Sequence, residues 1–167
     1  MLPIIFLLQA VAMSSAPPAP WTAIDKTDPT TGKKAMAAYA NAKDGSARMT
    51  VRCDTAVEPV VSIQVRTRMP LDAAEDHPVA VKFDGADPIT ANWEFPGKAM
   101  LTSNPATVTS LISGLVKAQT VSITSGTGPS MVTTVFDGPS SPDGIKAVLA
   151  ACGYEIGVVP PPPAKGK

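Results

Sequence analysis

The chain has 167 residues, with fourteen Lys and Arg balancing fourteen Asp and Glu. That is enough for one ordinary domain and leaves no bulk field to hold a polyanion or an anionic membrane unless charges cluster locally, so general nucleic-acid binding is disfavoured. Eighteen prolines and twelve glycines exclude an architecture of long helices and favour turns and short elements.

Residues 1–16, "MLPIIFLLQAVAMSSA", are almost wholly apolar. The run is shorter than the ~20 residues of a bilayer span, and it ends in small residues as a secretory leader does. A signal peptide is expected here, cut after Ala12 or Ala16, with a retained anchor or a buried strand as the alternatives. No Lys or Arg opens it. Residues 17–20 form a proline-rich linker, 21–158 a single globular domain, and 159–167 an extended tail of prolines and basic residues. A periplasmic or secreted location follows, with no membrane segment left after processing.

The domain opens on Trp21 and a turn-rich "DKTDPTTG". Residues 33–40 carry alanines that favour helix, but Gly32 and Gly45 bracket them closely and a strand is expected. Residues 48–54 alternate, placing Met49, Val51 and Cys53 on one face and Arg48, Thr50 and Arg52 on the other. Residues 60–67 repeat that pattern, with Val61, Ile63 and Val65 inward and "TAVEP" as the hairpin loop between them. If Cys53 pairs with Val61, the two-residue period sets Arg48 opposite Arg66, with Arg52 nearby and Arg68 at the strand's end. All four arginines of the chain lie in these two strands or at their margin.

"HPVAVKF" predicts a further strand, closed by a Gly and Pro turn, and residues 90–94 and 98–102 a short pair around "FPGK". Val108, Leu111, Ile112, Leu115 and Val116 fall on one stripe at helical spacing, as core packing requires. Two strands joined by a Gly-rich loop follow over "QTVSITSGTGPSMVTTVFDG". A second helix begins at "SSPDG", with Ser141 as cap and Pro142 in the first turn. Its apolar positions are Ile145, Val148, Leu149 and Cys152, at i, i+3, i+4 and i+7.

Cys152 therefore faces the core, as Cys53 does. In an exported chain holding only these two cysteines, a single disulfide is expected, the alternative being two buried thiols. The fold class that results is α+β: an antiparallel β-sheet or small sandwich with two packing helices and one disulfide.

The chemistry on offer is sparse. His77, the only histidine, lies beside "DAAED" and reads as a loop residue or as the general base of a small hydrolase, although no Gly-x-Ser-x-Gly elbow occurs. Cys53, Cys152 and His77 lack zinc-site spacing, so no metal is expected. Asp84 with Asp87 and Asp25 with Asp28 are too sparse for a calcium loop and suit turn stabilisation. "SGTGPS" has neither the lysine nor the strand-to-helix setting of a phosphate loop, and no cofactor is implied.

The arginines Arg48, Arg52, Arg66 and Arg68 are the candidate binding face. They either meet the acidic "LDAAEDH" of the same chain or dock an acidic protein or anionic envelope polymer, which guanidinium groups bind bidentately.

Taken in order, Trp21, "DPTTGKKAM", "MTVRCD", "VAVKFDGADPITANW" and a terminal helix ending at Cys152 resemble exported domains associated with bacterial type VI secretion and related envelope proteins. The resemblance covers most of residues 21–152, and Lys82 stands where that family often has Arg before Phe-Asp. It implies a cell-envelope location, an accessory role and no catalytic residues. The expected function is a non-enzymatic binding or accessory assembly module acting through the arginine face. The alternatives are a secreted hydrolase using His77 and a structural subunit of a secreted or viral assembly.

Overall fold

The computed structural model describes residues 20–27, 32, 34–68, 71, 76–126 and 131–160. The expected leader with its two expected cleavage positions, most of the expected linker, and tail residues 161–167 lie outside the described residues. So does most of the acidic segment after Arg68.

Among the described residues, nine strands form two antiparallel sheets and two helices accompany them. The first contains β1 (Ile24–Thr27), β2 (Lys34–Asn41), β3 (Ala47–Asp54), β4 (Val60–Thr67) and β7 (Ala99–Thr102), in the order β1-β2-β3-β4-β7. The second contains β5 (His77–Phe83), β6 (Ile89–Trp93), β8 (Thr120–Ser125) and β9 (Val132–Asp137), in the order β6-β5-β8-β9. The helices are α1 (Pro105–Leu115) and α2 (Asp143–Ala151).

The period-2 patterns act as expected on β3 and β4. Met49, Val51, Cys53, Val61, Ile63 and Val65 are buried, and Cys53 pairs with Val61, which places Arg48 directly across from Arg66. Residues 34–41 form a strand despite their alanines, because Ala38 and Ala40 pack on the crowded inner face, where Ala38 opposes Val51 and Ala40 opposes Met49.

The expected pair around "FPGK" is corrected. β6 and β7 belong to different sheets, and only the Glu94–Leu101 bridge joins them, with both N–H to O distances at 2.9 Å. The chain uses this turn to cross between sheets. At the opposite corner an Ala42–Phe136 bridge, with the Lys43 N–H donating to the Val135 carbonyl at 2.9 Å, ties the end of β2 to β9. The two sheets thus form a nearly closed ring of eight strands, with β1 added outside it along β2.

The helices supply the remaining core. α1 opens with the Asn104 side chain accepting the Thr107 N–H at 3.1 Å and with Pro105 in its first turn. It buries Val108, Leu111, Ile112 and Leu115. Gly114 lies on the Phe83 ring so closely that a Cβ would stand 2.4 Å from it.

α2 begins at Asp143 rather than at Pro142, and Pro142, in the α region, occupies the cap position. Ser141 still serves the turn, since its hydroxyl accepts the Asp143 N–H at 3.2 Å and donates to the Asp143 carboxylate at 2.6 Å. Ile145, Val148 and Leu149 are buried, and Cys152 is bonded to Cys53 across a Cα–Cα distance of 5.7 Å. The disulfide therefore links β3, the middle strand of the five-stranded sheet, to the C-terminal cap of α2.

Candidate functional site

Because β3 and β4 bury one face against the helices, alternate residues of both strands must point outward. Read across the register, the outer rows of the five-stranded sheet are Asn41–Arg48–Arg66–Ala99 and, next to it, Tyr39–Thr50–Gln64–Leu101. Arg48, Arg66 and Arg68 are all exposed. They surround a cleft of about 390 Å³ whose other walls are Asn41, the turn at Gly45 and Ser46, Ala47 and Thr67.

Each arginine is held differently. The Arg48 Nε donates to Asn41 Oδ1 at 3.0 Å, and its guanidinium lies 4.4 Å from the centroid of the Tyr39 ring, a cation–π contact that fixes the plane of the group. Arg68 follows the last residue of β4. Its backbone N–H donates to the Ser46 carbonyl at 3.2 Å, and its Nη2 lies 3.4 Å from where a Cβ on Gly45 would be. Gly45 has φ of +70°, so the turn both needs glycine and leaves room for the guanidinium. Arg66 stands between them, opposite Arg48.

Among the described residues, none of these three guanidinium groups forms a salt bridge. The two salt bridges are Lys43 with Asp137 at 2.9 Å and Arg52 with Asp54 at 3.0 Å. Among the described residues, the acid that feels the cleft is Asp44, which accepts both the Ser46 hydroxyl at 2.7 Å and the Ser46 N–H at 2.9 Å. Those bonds hold its carboxyl below the usual range, with Arg68 adding a smaller attraction.

Arg52 belongs elsewhere. It is half-buried, bonded to Asp54 on its own face two residues on, and it lines a separate cleft with Glu58, Ser62 and Gln64. Among the described residues, the four-arginine face is thus a cluster of three groups without a salt bridge and one paired group. The signal for this was present: Asp54 lies two residues from Arg52 in the same strand, which puts both on one face.

His77 starts β5, half-buried, and meets the Phe95 ring edge-on at 5.6 Å. A hydrolase would place a Ser, Asp or Glu against the imidazole, and among the described residues no such side chain hydrogen-bonds to it. No group of three His, Cys, Asp or Glu suited to a metal occurs among the described residues. Asp84 lies in the turn after β5, and its side chain also acts as a long-range anchor. It adopts φ of +50°, and its carboxylate accepts the N–H groups of Gln119 and Thr120, the shortest at 2.8 Å, which ties the β5 turn to the start of β8.

Comparison with models of protein families, with curated proteins and with solved structures finds no match.

Proposed function

We propose that this chain is an exported, non-enzymatic envelope protein that acts as a binding or accessory assembly module, capturing an anionic group in the cleft of Arg48, Arg66 and Arg68. The observation that carries the reading is the cluster itself. Three guanidinium groups share one open cleft, two of them face each other across adjacent strands, and no salt bridge neutralises any of them among the described residues.

Like charges opposite one another cost stability, though at ~6 Å in water the repulsion is below ~1 kcal/mol. A carboxylate or phosphate placed between them removes that repulsion and takes up bidentate hydrogen bonds. The resemblance to type VI secretion-associated accessory proteins and the leader-like first residues support an envelope setting, and the disulfide and the absence of a membrane-spanning helix among the described residues are consistent with it.

The test compares Arg48→Gln/Arg66→Gln/Arg68→Gln with a charge-matched control, Lys82→Gln/Lys117→Gln/Lys146→Gln, whose lysines are exposed and lie away from the cleft. Partner capture is followed by crosslinking and mass spectrometry in the native host. The arginine variant should lose capture at least tenfold while its thermal midpoint stays near that of the control. Equal capture by the two variants would remove the cleft from the function.

A further inference from the structure

We infer that the anionic ligand is a linear, carboxylate-bearing polysaccharide lying along a band of cations from Lys26 to Arg68, rather than a single acidic group or an acidic protein. This rests on the anion-binding reading of the arginine cleft and goes further by naming what fills it.

The first ground is the extent of the positive surface. In β1, Lys26 shares the outer face with Tyr39, and its Nζ lies 5.6 Å from the centroid of that ring. The same centroid is 4.4 Å from the Arg48 guanidinium, so the two cations lie within about 10 Å of one another, linked through one aromatic plate. From Arg48 the band continues across the register to Arg66 and then to Arg68. It crosses β1 to β4, three inter-strand steps of ~4.8 Å each, which is longer than one carboxylate occupies. Among the described outer-face residues of these four strands the only acid is Asp54, already paired with Arg52. Asp25 alternates to the other face, opposite Met36.

The second ground is what the band lacks. Tight protein interfaces centre on aromatic or aliphatic anchors buried in pockets. Here the one aromatic ring among the described outer-face residues of these strands, Tyr39, is already engaged by two cations, and its row continues through Thr50 and Gln64 to Leu101, which is half-buried and forms no pocket of its own. Gln64 donates to Ser62 Oγ at 3.0 Å, while its carbonyl oxygen and the Thr50 hydroxyl carry no bond among the described residues. A row of guanidinium groups beside the hydroxyl of Thr50 and the amide of Gln64 suits a polymer that alternates carboxylates with hydroxyls. The planar carboxylate matches the fork of each arginine.

The experiment measures binding of galacturonate, of oligogalacturonates of increasing length, and of polyglutamate and polyphosphate of matched charge. It uses the full mature protein and its Lys26→Gln and Arg48→Gln/Arg66→Gln/Arg68→Gln variants. Affinity for oligogalacturonate should rise with length until the band is covered and then level off. With four cations engaged, log K should fall against log salt with a slope of roughly −3, by analogy with single-stranded polyanions. Lys26→Gln should weaken the long oligomer about threefold and leave the monomer unchanged, because only the polymer reaches β1. The arginine variant should weaken both.

A monomer that binds as tightly as the oligomers overturns the polymer and leaves the anion cleft standing. Tighter binding of polyglutamate or polyphosphate than of oligogalacturonate at equal charge overturns the polysaccharide. If none of the anions distinguishes wild type from the arginine variant, the anion-binding reading fails with it.

Discussion

At the scale of single residues, the cleft is governed by where charge is neutralised and where it is left. Arg48 and Arg52 sit four residues apart on one strand face, yet Asp54 neutralises one and nothing among the described residues neutralises the other. Among the described residues Asp44 is the acid on which Arg68 acts, and its two bonds from Ser46 favour its ionised form. A carboxyl whose folded pKa is depressed stabilises the fold above its unfolded pKa, and that contribution disappears as pH falls through the lowered folded value. Asp44 therefore remains charged throughout the range near neutrality, and changes of binding there cannot come from its titration. A carbon-detected titration should place the Asp44 midpoint below the usual carboxylate range. Ser46→Ala, which removes the largest cause, should move it back upward. An unchanged midpoint in that variant would show that the hydroxyl is not what holds it down.

At the scale of elements, the entry of the chain depends on one close approach. Trp21 is 2% exposed with φ of +62°. Its backbone N–H donates to the Tyr39 carbonyl and its indole to the Asp137 carbonyl, both at 2.8 Å. Its own carbonyl oxygen lies where a Cβ on Gly144 would be, at 1.8 Å. Gly144→Ala must push Trp21 away from the first turn of α2, a change that costs helix nothing by propensity. It should nonetheless destabilise by about 1–3 kcal/mol, the usual range for overpacking. Chemical denaturation measures it, and an unchanged or raised midpoint would mean that Trp21 does not anchor this end.

The same region marks what sequence reasoning reaches. Alternation made β3, β4, β5, β8 and β9 legible, and the i, i+3, i+4, i+7 stripe made α1 and α2 legible, because each pattern records a burial that recurs within the element itself. β1 escaped because its four residues show little alternation, being half-buried at Ile24 and exposed thereafter. The separation of β6 from β7 escaped because local pattern does not say which edge a strand joins. The facing arginines followed from the register; their division into a cluster of three and a paired Arg52 rests on Asp54, which shares the strand face of Arg52.

At the scale of the whole molecule, the fold is a ring of strands closed at two corners by single bridges, and its strongest long-range constraint is covalent. Cys53 and Cys152 are 99 residues apart, so the bond removes much of the freedom of the unfolded chain. A loop near this length corresponds to about 4.7 kcal/mol in the chain-entropy account. Cys53→Ala/Cys152→Ala should therefore lose about 3–5 kcal/mol in denaturant unfolding. The cysteines are 0% and 7% exposed, and Val148 and Leu149 beside them in α2 are buried against the sheet. A reductant reaches the bond only after α2 lifts from β2 and β3. Thiol release under excess dithiothreitol should accordingly accelerate with low denaturant and in Gly144→Ala, which loosens the first turn of α2. It should be far slower than in the unfolded chain. Release from the native protein at the rate of an exposed disulfide, indifferent to both changes, would show that the staple is open to solvent and that α2 does not guard it.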